Sequence, residues 1–343
     1  MANASQALIT FEWFWKSNDD PWSSSESEEW SRFSDVEMAI IEEALQKKLP
    51  DVLLDSYHIN FKHMVQISNK NENNQRPVKR VVNERKESRL REARFMPNPV
   101  NPSRPFSDWD SSSSFNFMVA VQKYFDLEHR RGLHDPEVRQ WFVDKAAEGF
   151  IMEGKRVSKT KEANWMAKEL LKTKYADQVQ VWNCCVRLYC MESFLYKKLN
   201  EVMRLSGDEE HEELLMSRVP TFGPFVYLLQ RLEHDREGKK QTVYRGANLS
   251  EDQIEQYRQL SLDPYNIAYF PAFTSTSRNR KKAEEFGNVL FVIDIFETDG
   301  EDVSLYSNYP SEEEQLLDPR FRFSVHSCIF DEIDNKWEIY LTK

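Results

Sequence analysis

The stretch Tyr309-Pro310-Ser311-Glu312-Glu313-Glu314-Gln315-Leu316 sets three carboxylates in a row just before an apolar run. A solvated acidic face is the ordinary reading of such a run. The spacing adds something. In a strand, residues i and i+2 share a face, so Glu312 and Glu314 are expected side by side, with Glu313 turned away. Like charges held close repel one another, which is tolerated mainly where each has a task or a cationic partner. Gln315-Leu316-Leu317 then continues as a buried strand that anchors the pair.

Two other pieces precede it. Val243-Tyr244-Arg245-Gly246 places an arginine beside a glycine after a short apolar lead-in. An arginine at a strand end is usually a surface charge. The glycine lets a ligand approach the backbone, and a guanidinium fork suits a pyrophosphate or a carboxylate. Phe273-Thr274-Ser275-Thr276-Ser277 is a hydroxyl-rich strand segment, and Ser277 is the expected cap of a helix running through Lys281–Phe286 to Gly287. Each piece alone is common.

The surroundings are strand-like. Val289, Phe291, Ile293 and Ile295 alternate, as do Phe321, Phe323 and Val325. Ser250-Glu251-Asp252-Gln253 starts a capped helix with Ile254, Tyr257 and Leu260 on its buried face. Upstream the pattern turns helical. Cys184, Leu188, Met191, Leu195, Leu199 and Val202 form one apolar stripe, which makes Cys184 a core residue.

A chain of 343 residues holds about two domains. Residues 84–134 read as a linker: Arg85, Lys86, Arg89, Arg91 and Arg94, then Pro97, Pro99, Pro102 and Pro105, then serines from Ser111. The basic run reads as a solvated helix face, with a nuclear signal or phosphate contact as the alternative. The net charge of −11 argues against a general nucleic-acid coat. Met1–Thr10 lacks the marks of a secretory leader, and the longest apolar run, Val289–Phe296, is too short to span a bilayer. No membrane contact and no direct nucleic-acid binding are expected. Four cysteines without a paired framework point to a reducing compartment, cytoplasmic or nuclear. There is no Cys-x-x-Cys and the seven histidines are scattered, so no metal site is expected.

Near the N-terminus, Trp13-Phe14-Trp15 opens an apolar strand, and Ser34-Asp35-Val36-Glu37 caps a helix carrying Ile41, Ala44, Leu45 and Leu49. Tyr57, Ile59 and Phe61 then alternate, ahead of Met64, Gln66, Arg76, Lys79 and Arg80. These residues predict a small half-barrel around one helix, with tryptophans in its core.

Taken in order, Arg-Gly, Phe-x-Ser-Thr-Ser and Tyr-Pro-x-Glu-x-Glu before a Leu-Leu-x-Pro strand resemble the arginine-specific mono-ADP-ribosyltransferases of the R-S-E class. Leu195-Tyr196-Lys197-Lys198-Leu199-Asn200 and Phe286-Gly287-Asn288-Val289-Leu290-Phe291 belong to the same resemblance, which covers roughly residues 180–330. It implies an α+β fold over 135–343, a helical lobe (135–240) plus two packed, mainly antiparallel sheets (241–343) around an NAD cleft. NAD is then a substrate and no metal is needed. Arg245 neutralises the phosphates, the Gly246 backbone holds the nicotinamide amide, and Ser275 orients Glu314, with Thr276 and Ser277 supporting the cleft. Glu314 stabilises the ribosyl cation, Glu312 aims the acceptor arginine, and Tyr309 packs against that acceptor or covers the loop. The partners implied are proteins with exposed arginines. The chain lacks the signal peptide and flanking cysteines of the secreted vertebrate members, and the histidine of the poly-ADP-ribose polymerases.

Residues 8–83 resemble a WWE domain, through the paired tryptophans, Ile41-Glu42 and Tyr-x-Ile-x-Phe-x-x-Met-x-Gln. The resemblance implies a pocket for poly-ADP-ribose lined by Phe14, Tyr57, Gln66 and Arg76, Phe14 standing where readers carry a tyrosine. The expected activity is transfer of one ADP-ribose to protein arginine. The alternatives are a non-catalytic poly-ADP-ribose-binding adaptor and an NAD glycohydrolase.

Overall fold

The computed structural model describes residues 9–84, 106–108, 116–230, 238–307 and 309–343. The basic run from Arg85, the four prolines from Pro97 and the serines from Ser111 lie outside these residues.

Six antiparallel strands and one helix form the N-terminal module. β1 (Ile9–Lys16) and β2 (Trp30–Arg32) precede α1 (Asp35–Gln46). β3 (Asp51–Leu53), β4 (Tyr57–Asn60), β5 (Val65–Ser68) and β6 (Gln75–Glu84) follow. The strand order is β2-β1-β6-β5-β4-β3. The expected capping box starts α1: Glu37 N donates to Ser34 Oγ at 3.2 Å, and Ser34 N donates to Glu37 Oε2 at 3.1 Å. Met38 and Ile41 of α1 pack on Trp13, Phe33, Leu54, Ile59 and Val78, the core this module was expected to have. Burying each such side chain contributes about 1.5–3 kcal/mol. Arg80 forks onto Glu42 at 2.9 and 2.8 Å, which fixes the outer turn of α1 to β6.

The helices continue as α2 (Phe117–Tyr124), α3 (Pro136–Arg156), α4 (Thr160–Leu171), α5 (Gln178–Cys190), α6 (Phe194–Met203) and α7 (Glu212–Leu229). Two compact units result, and they do not follow the expected boundary at residue 135. Phe150–Glu169 and Met191–Phe194 group with the N-terminal module. The reason is a set of carboxylates facing orphan amides. Asp55 accepts from Lys161 N (2.7 Å) and Glu162 N (3.3 Å) in the first turn of α4. Asp35 accepts from Glu192 N at 2.7 Å, and Glu43 from Trp165 Nε1 at 3.1 Å. A carboxylate on such free amides stabilises a helix start by about 1 kcal/mol.

In the second unit the expected linker needs correction over 116–134. Asn116 caps α2, accepting from Met118 N at 2.9 Å. Phe117 and Val121 are fully buried. Apolar spacing inside a Pro- and Ser-rich neighbourhood read as tether, but burial of these side chains makes the segment part of the core. The single stripe expected from Cys184 to Val202 also divides. α5 ends at Cys190, and α6 restarts at Phe194, whose N–H donates to Glu162 Oε1 at 2.8 Å instead of to an earlier carbonyl. The apolar period carries over because the turn spans one helical repeat.

The strands are β7 (Ser107–Asp108), β8 (Lys240–Ala247), β9 (Ala268–Tyr269), β10 (Thr274–Ser277), β11 (Val289–Phe296), β12 (Gly300–Asp302), β13 (Glu314–Leu317), β14 (Arg322–Asp331) and β15 (Lys336–Thr342). Among them α8 (Glu251–Leu260) starts at the expected Ser250 capping box, and α9 (Arg280–Glu284) follows β10. The edge-to-edge order is β12-β13-β10-β8-β11-β15-β14-β9-β7. One register pair, Ser277↔Tyr244, joins the β12-β13-β10 group to the larger β8 group. That narrow join is where the two expected sheets meet. Val243, Val289, Phe291, Ile293, Ile295, Leu317, Phe323 and Val325 share one core with Tyr257 of α8. Among the described residues no helix is long and apolar enough to cross a membrane.

Phe117→Ala tests the corrected boundary. It is expected to cost about 3–5 kcal/mol of stability in denaturant melts of the full chain, where a tether residue costs almost nothing.

Candidate active site

Three neighbouring strands carry the three sequence pieces. β10 runs antiparallel to β13 with Ser277 opposite Glu314, Thr276 opposite Gln315 and Ser275 opposite Leu316. On its other side β10 meets β8 at Tyr244, the residue before Arg245. The strand order therefore brings Arg245, the hydroxyl triplet and Glu314 together. Arg245 Nη1 donates to the Ser275 carbonyl at 2.7 Å. Thr276 Oγ1 donates to Gln315 O at 2.7 Å, locking β10 to β13.

Ser277 lies directly across from Glu314, and Ser275, two residues earlier, shares that face of β10. Ser277 Oγ donates to Glu312 O at 2.6 Å and accepts from Asn279 N at 2.9 Å. It ties the acidic turn to the start of α9 and does not cap that helix; the cap position belongs to Asn279. Ser275 serves Arg245 through its carbonyl.

The carboxylate pair is also built differently from the pleat expected. Only Glu314 is in β13; Glu312 ends a 3-10 turn from Pro310, and Glu313 between them is left-handed at φ 47°. Both Glu312 and Glu314 are fully buried. Glu313 faces elsewhere, accepting from Asn279 Nδ2 at 3.3 Å, as the alternation argument required for other reasons. Tyr309 is buried too, leaving little ring for an acceptor. On the same loop Tyr306 is half-buried and stands edge-on to Trp182, ring centres 5.7 Å apart.

Charge is concentrated at Arg245. Burial and then the like charge of Arg204 push its guanidinium down to about 10, while Tyr189, Tyr257 and Glu314 oppose that. Burial likewise lowers Arg204 to about 10, against Tyr189 and Glu201. Two half-buried guanidinium groups within electrostatic reach of each other disfavour one another's charge, which an anion between them would relieve. Beside them, Asn200 is buried; its Nδ2 donates to Tyr189 Oη at 2.7 Å, while its Oδ1 is sealed from solvent with no partner among the described residues. A buried orphan acceptor next to paired cations fits a phosphorylated ligand that also offers donors, as NAD does. Asn200 falls inside the Leu195–Asn200 motif without a role of its own in the sequence, and Arg204 lies just past that motif. Their i, i+4 spacing at the end of α6 was the available signal.

Gly246 has a packing reason of its own. A Cβ there would lie 2.3 Å from the Ala283 carbonyl oxygen and 2.6 Å from Phe286 Cβ. Close approach is required, but by α9 and the residues after it.

In the N-terminal module, β4 to β6 bring three of the four expected pocket residues to one face. Gln66 is opposite both Ile59 and Arg76, and Tyr57 shares the face of Ile59. Phe14 is paired with Lys79, one position out of step with the core pair Trp13–Arg80, so it lies on the other face. Lys79 stands over its ring. Trp15 replaces it on the inner face, with Arg76 5.5 Å over its ring. Tyr57 Oη donates to Glu37 Oε1 at 2.9 Å, and Arg76 Nη1 donates to the carbonyls of Lys16 and Asn18. Gln66 is buried with Oε1 lacking a partner among the described residues. Elsewhere Asp208, Glu210 and His211 bring three potential metal-ligand atoms within 4.8 Å of one another on a partly exposed turn.

With this geometry in place, the comparisons are direct. The NAD:arginine ADP-ribosyltransferase family matches residues 157–343, and the WWE domain matches residues 11–80. The chain belongs to the NAD:arginine ADP-ribosyltransferase family and carries an N-terminal WWE domain. It is 40% identical over 92 residues to Mav of Mycobacterium avium (strain 104), provisionally named an NAD(+)--arginine ADP-ribosyltransferase. That match covers 26% of this chain and only 10% of Mav. Exoenzyme S from Pseudomonas aeruginosa, solved with human 14-3-3 protein beta and carba-NAD, is 17% identical over 58% of this chain and 88% of its own, with a TM-score of 0.38. The type III effector XopAI from Xanthomonas axonopodis pv. citri is 16% identical over 65% of this chain and 95% of its own, with a TM-score of 0.42.

The two serines of the triplet should separate in stability. Ser277→Ala removes a donor from Glu312 O and an acceptor from Asn279 N, and is expected to lower thermal stability by about 1–3 kcal/mol. Ser275→Ala keeps the carbonyl that Arg245 uses, and is expected to cost clearly less in the same melts.

Proposed function

We propose that the chain transfers a single ADP-ribose from NAD to arginine side chains of proteins, releasing nicotinamide. The observation that carries this is the strand order β13-β10-β8, which sets Glu314 within electrostatic reach of Arg245, beside a second guanidinium at Arg204. Arg245 and Arg204 would take the pyrophosphate, an anion that relieves their mutual repulsion. Asn200 Oδ1 would accept from a hydroxyl or amide of the dinucleotide. The Gly246 backbone would hold the nicotinamide amide.

In the reaction, the bond from ribose C1′ to the nicotinamide nitrogen breaks, and its electron pair leaves with nicotinamide. Positive charge grows on the sugar, and the fixed Glu314 carboxylate stabilises it most at the transition state. The acceptor guanidinium is held by Glu312, which aims one nitrogen at C1′. A C1′–N bond forms, and the nitrogen gives up one proton through Glu312 to solvent. The left-handed turn at Glu313 supports this division, since it holds the two carboxylates at different backbone positions of one buried corner. The proposed setting is the cytoplasm or nucleus, and the proposed acceptors are proteins with exposed arginines.

Kinetics separate the roles. Glu314→Gln is expected to cut nicotinamide release by about a hundred- to thousandfold. Glu312→Gln is expected to keep much of that release while abolishing transfer to agmatine, a free guanidine. No nicotinamide release from the wild type favours a non-catalytic adaptor, release without any transfer favours a glycohydrolase, and unchanged turnover in both variants overturns the roles given to the two carboxylates.

The WWE domain is proposed to bind an ADP-ribose unit of poly-ADP-ribose on the face of Trp15, Tyr57, Gln66 and Arg76. The orphan Gln66 Oε1 supports this. By calorimetry on the full chain, Gln66→Leu is expected to weaken iso-ADP-ribose binding about tenfold, and Phe14→Ala, on the opposite face, to leave it unchanged.

A further inference from the structure

Tyr189 is 1% exposed, so it offers a ligand almost no surface. It nevertheless touches each part of the site. Its hydroxyl accepts from Asn200 Nδ2 at 2.7 Å. Its ring packs on Phe273, which leads into β10, with centres 5.3 Å apart, and on Tyr196 of α6 at 6.4 Å. It also lies within electrostatic reach of both Arg204 and Arg245.

The hydroxyl decides how Asn200 presents itself. An amide has a donor end and an acceptor end, and a buried one turns to satisfy whichever partner is fixed. With Nδ2 committed to Tyr189, Oδ1 is left as the end without a partner among the described residues. Leaving a buried acceptor unmade is costly, so this arrangement is expected where a ligand completes it.

We propose that Tyr189 is a positioning residue for NAD: its hydroxyl orients the Asn200 amide so that Oδ1 accepts from a donor group of the dinucleotide. The inference rests on the reading above that α6 lines the NAD site. Tyr189 touches neither the acceptor arginine nor the breaking bond, so its effect belongs to NAD binding. Trp182 and the Asp208 turn carry no comparable case, because the first offers one ring contact, with Tyr306, and the second is an acidic cluster alone.

The test uses the full chain and reads nicotinamide release with agmatine as acceptor. Tyr189→Phe keeps the ring contacts and removes only the hydroxyl. The expected result is a rise in KM for NAD of about five- to tenfold with kcat and KM for agmatine within about twofold of wild type. Asn200→Ala should raise KM for NAD at least as much, and adding Tyr189→Phe to it should do nothing further. Thermal melts accompany each variant. A fall in melting temperature with KM for NAD unmoved overturns the proposal and leaves Tyr189 a core residue. Additive effects in the double variant overturn it as well, since the hydroxyl would then act independently of Asn200. If Asn200→Ala alone leaves KM for NAD unchanged in an active enzyme, the reading of α6 as part of the NAD site fails and the inference with it.

Discussion

The site is organised around a half-buried guanidinium set near a second one. Arg245 keeps one carbonyl hydrogen bond and the reach of Glu314 against burial and the like charge of Arg204. Everything adjacent follows from supplying it: β10 brings the Ser275 carbonyl, β13 brings Glu314, and α6 brings Arg204 and an amide with one unused end.

The acidic corner shows a second constraint. Two carboxylates in one strand would have one spacing and one direction. Here a left-handed Glu313 breaks the strand between them, and Ser277 clamps the turn through the Glu312 carbonyl. The result is independent placement: the strand carries Glu314, while the turn carries Glu312. Before this turn, half-buried Tyr306 stands edge-on to Trp182.

The N-terminal module shows how far a domain can be from a detachable tag. Its carboxylates Asp35, Glu43 and Asp55 satisfy N–H groups of α4, of the turn before α6 and of Trp165. These bonds are exposed or part-buried, so each contributes about 1 kcal/mol. The WWE domain is thereby a structural partner of these helical segments, whatever it binds on its inner face. Tyr57 illustrates the division, since its hydroxyl already serves Glu37 in the same helix turn as Asp35.

Local physics written in the chain was enough for the capping boxes at Ser34 and Ser250, the alternating core of β11 and β14, and the Arg245, Ser275–Ser277 and Glu314 constellation. Capping and alternation depend on neighbours a few residues away, and a motif in fixed order survives any arrangement that keeps its strands adjacent. The rest needed contacts between distant residues. Only burial could show that Phe117 and Val121 belong to a core, and only strand register could set Ser277 across from Glu314 or turn Phe14 to the outer face. Arg204 acquired a role because Arg245, far away in sequence, lies beside it. Charge–charge repulsion and desolvation act through space, and no spacing along the chain records them.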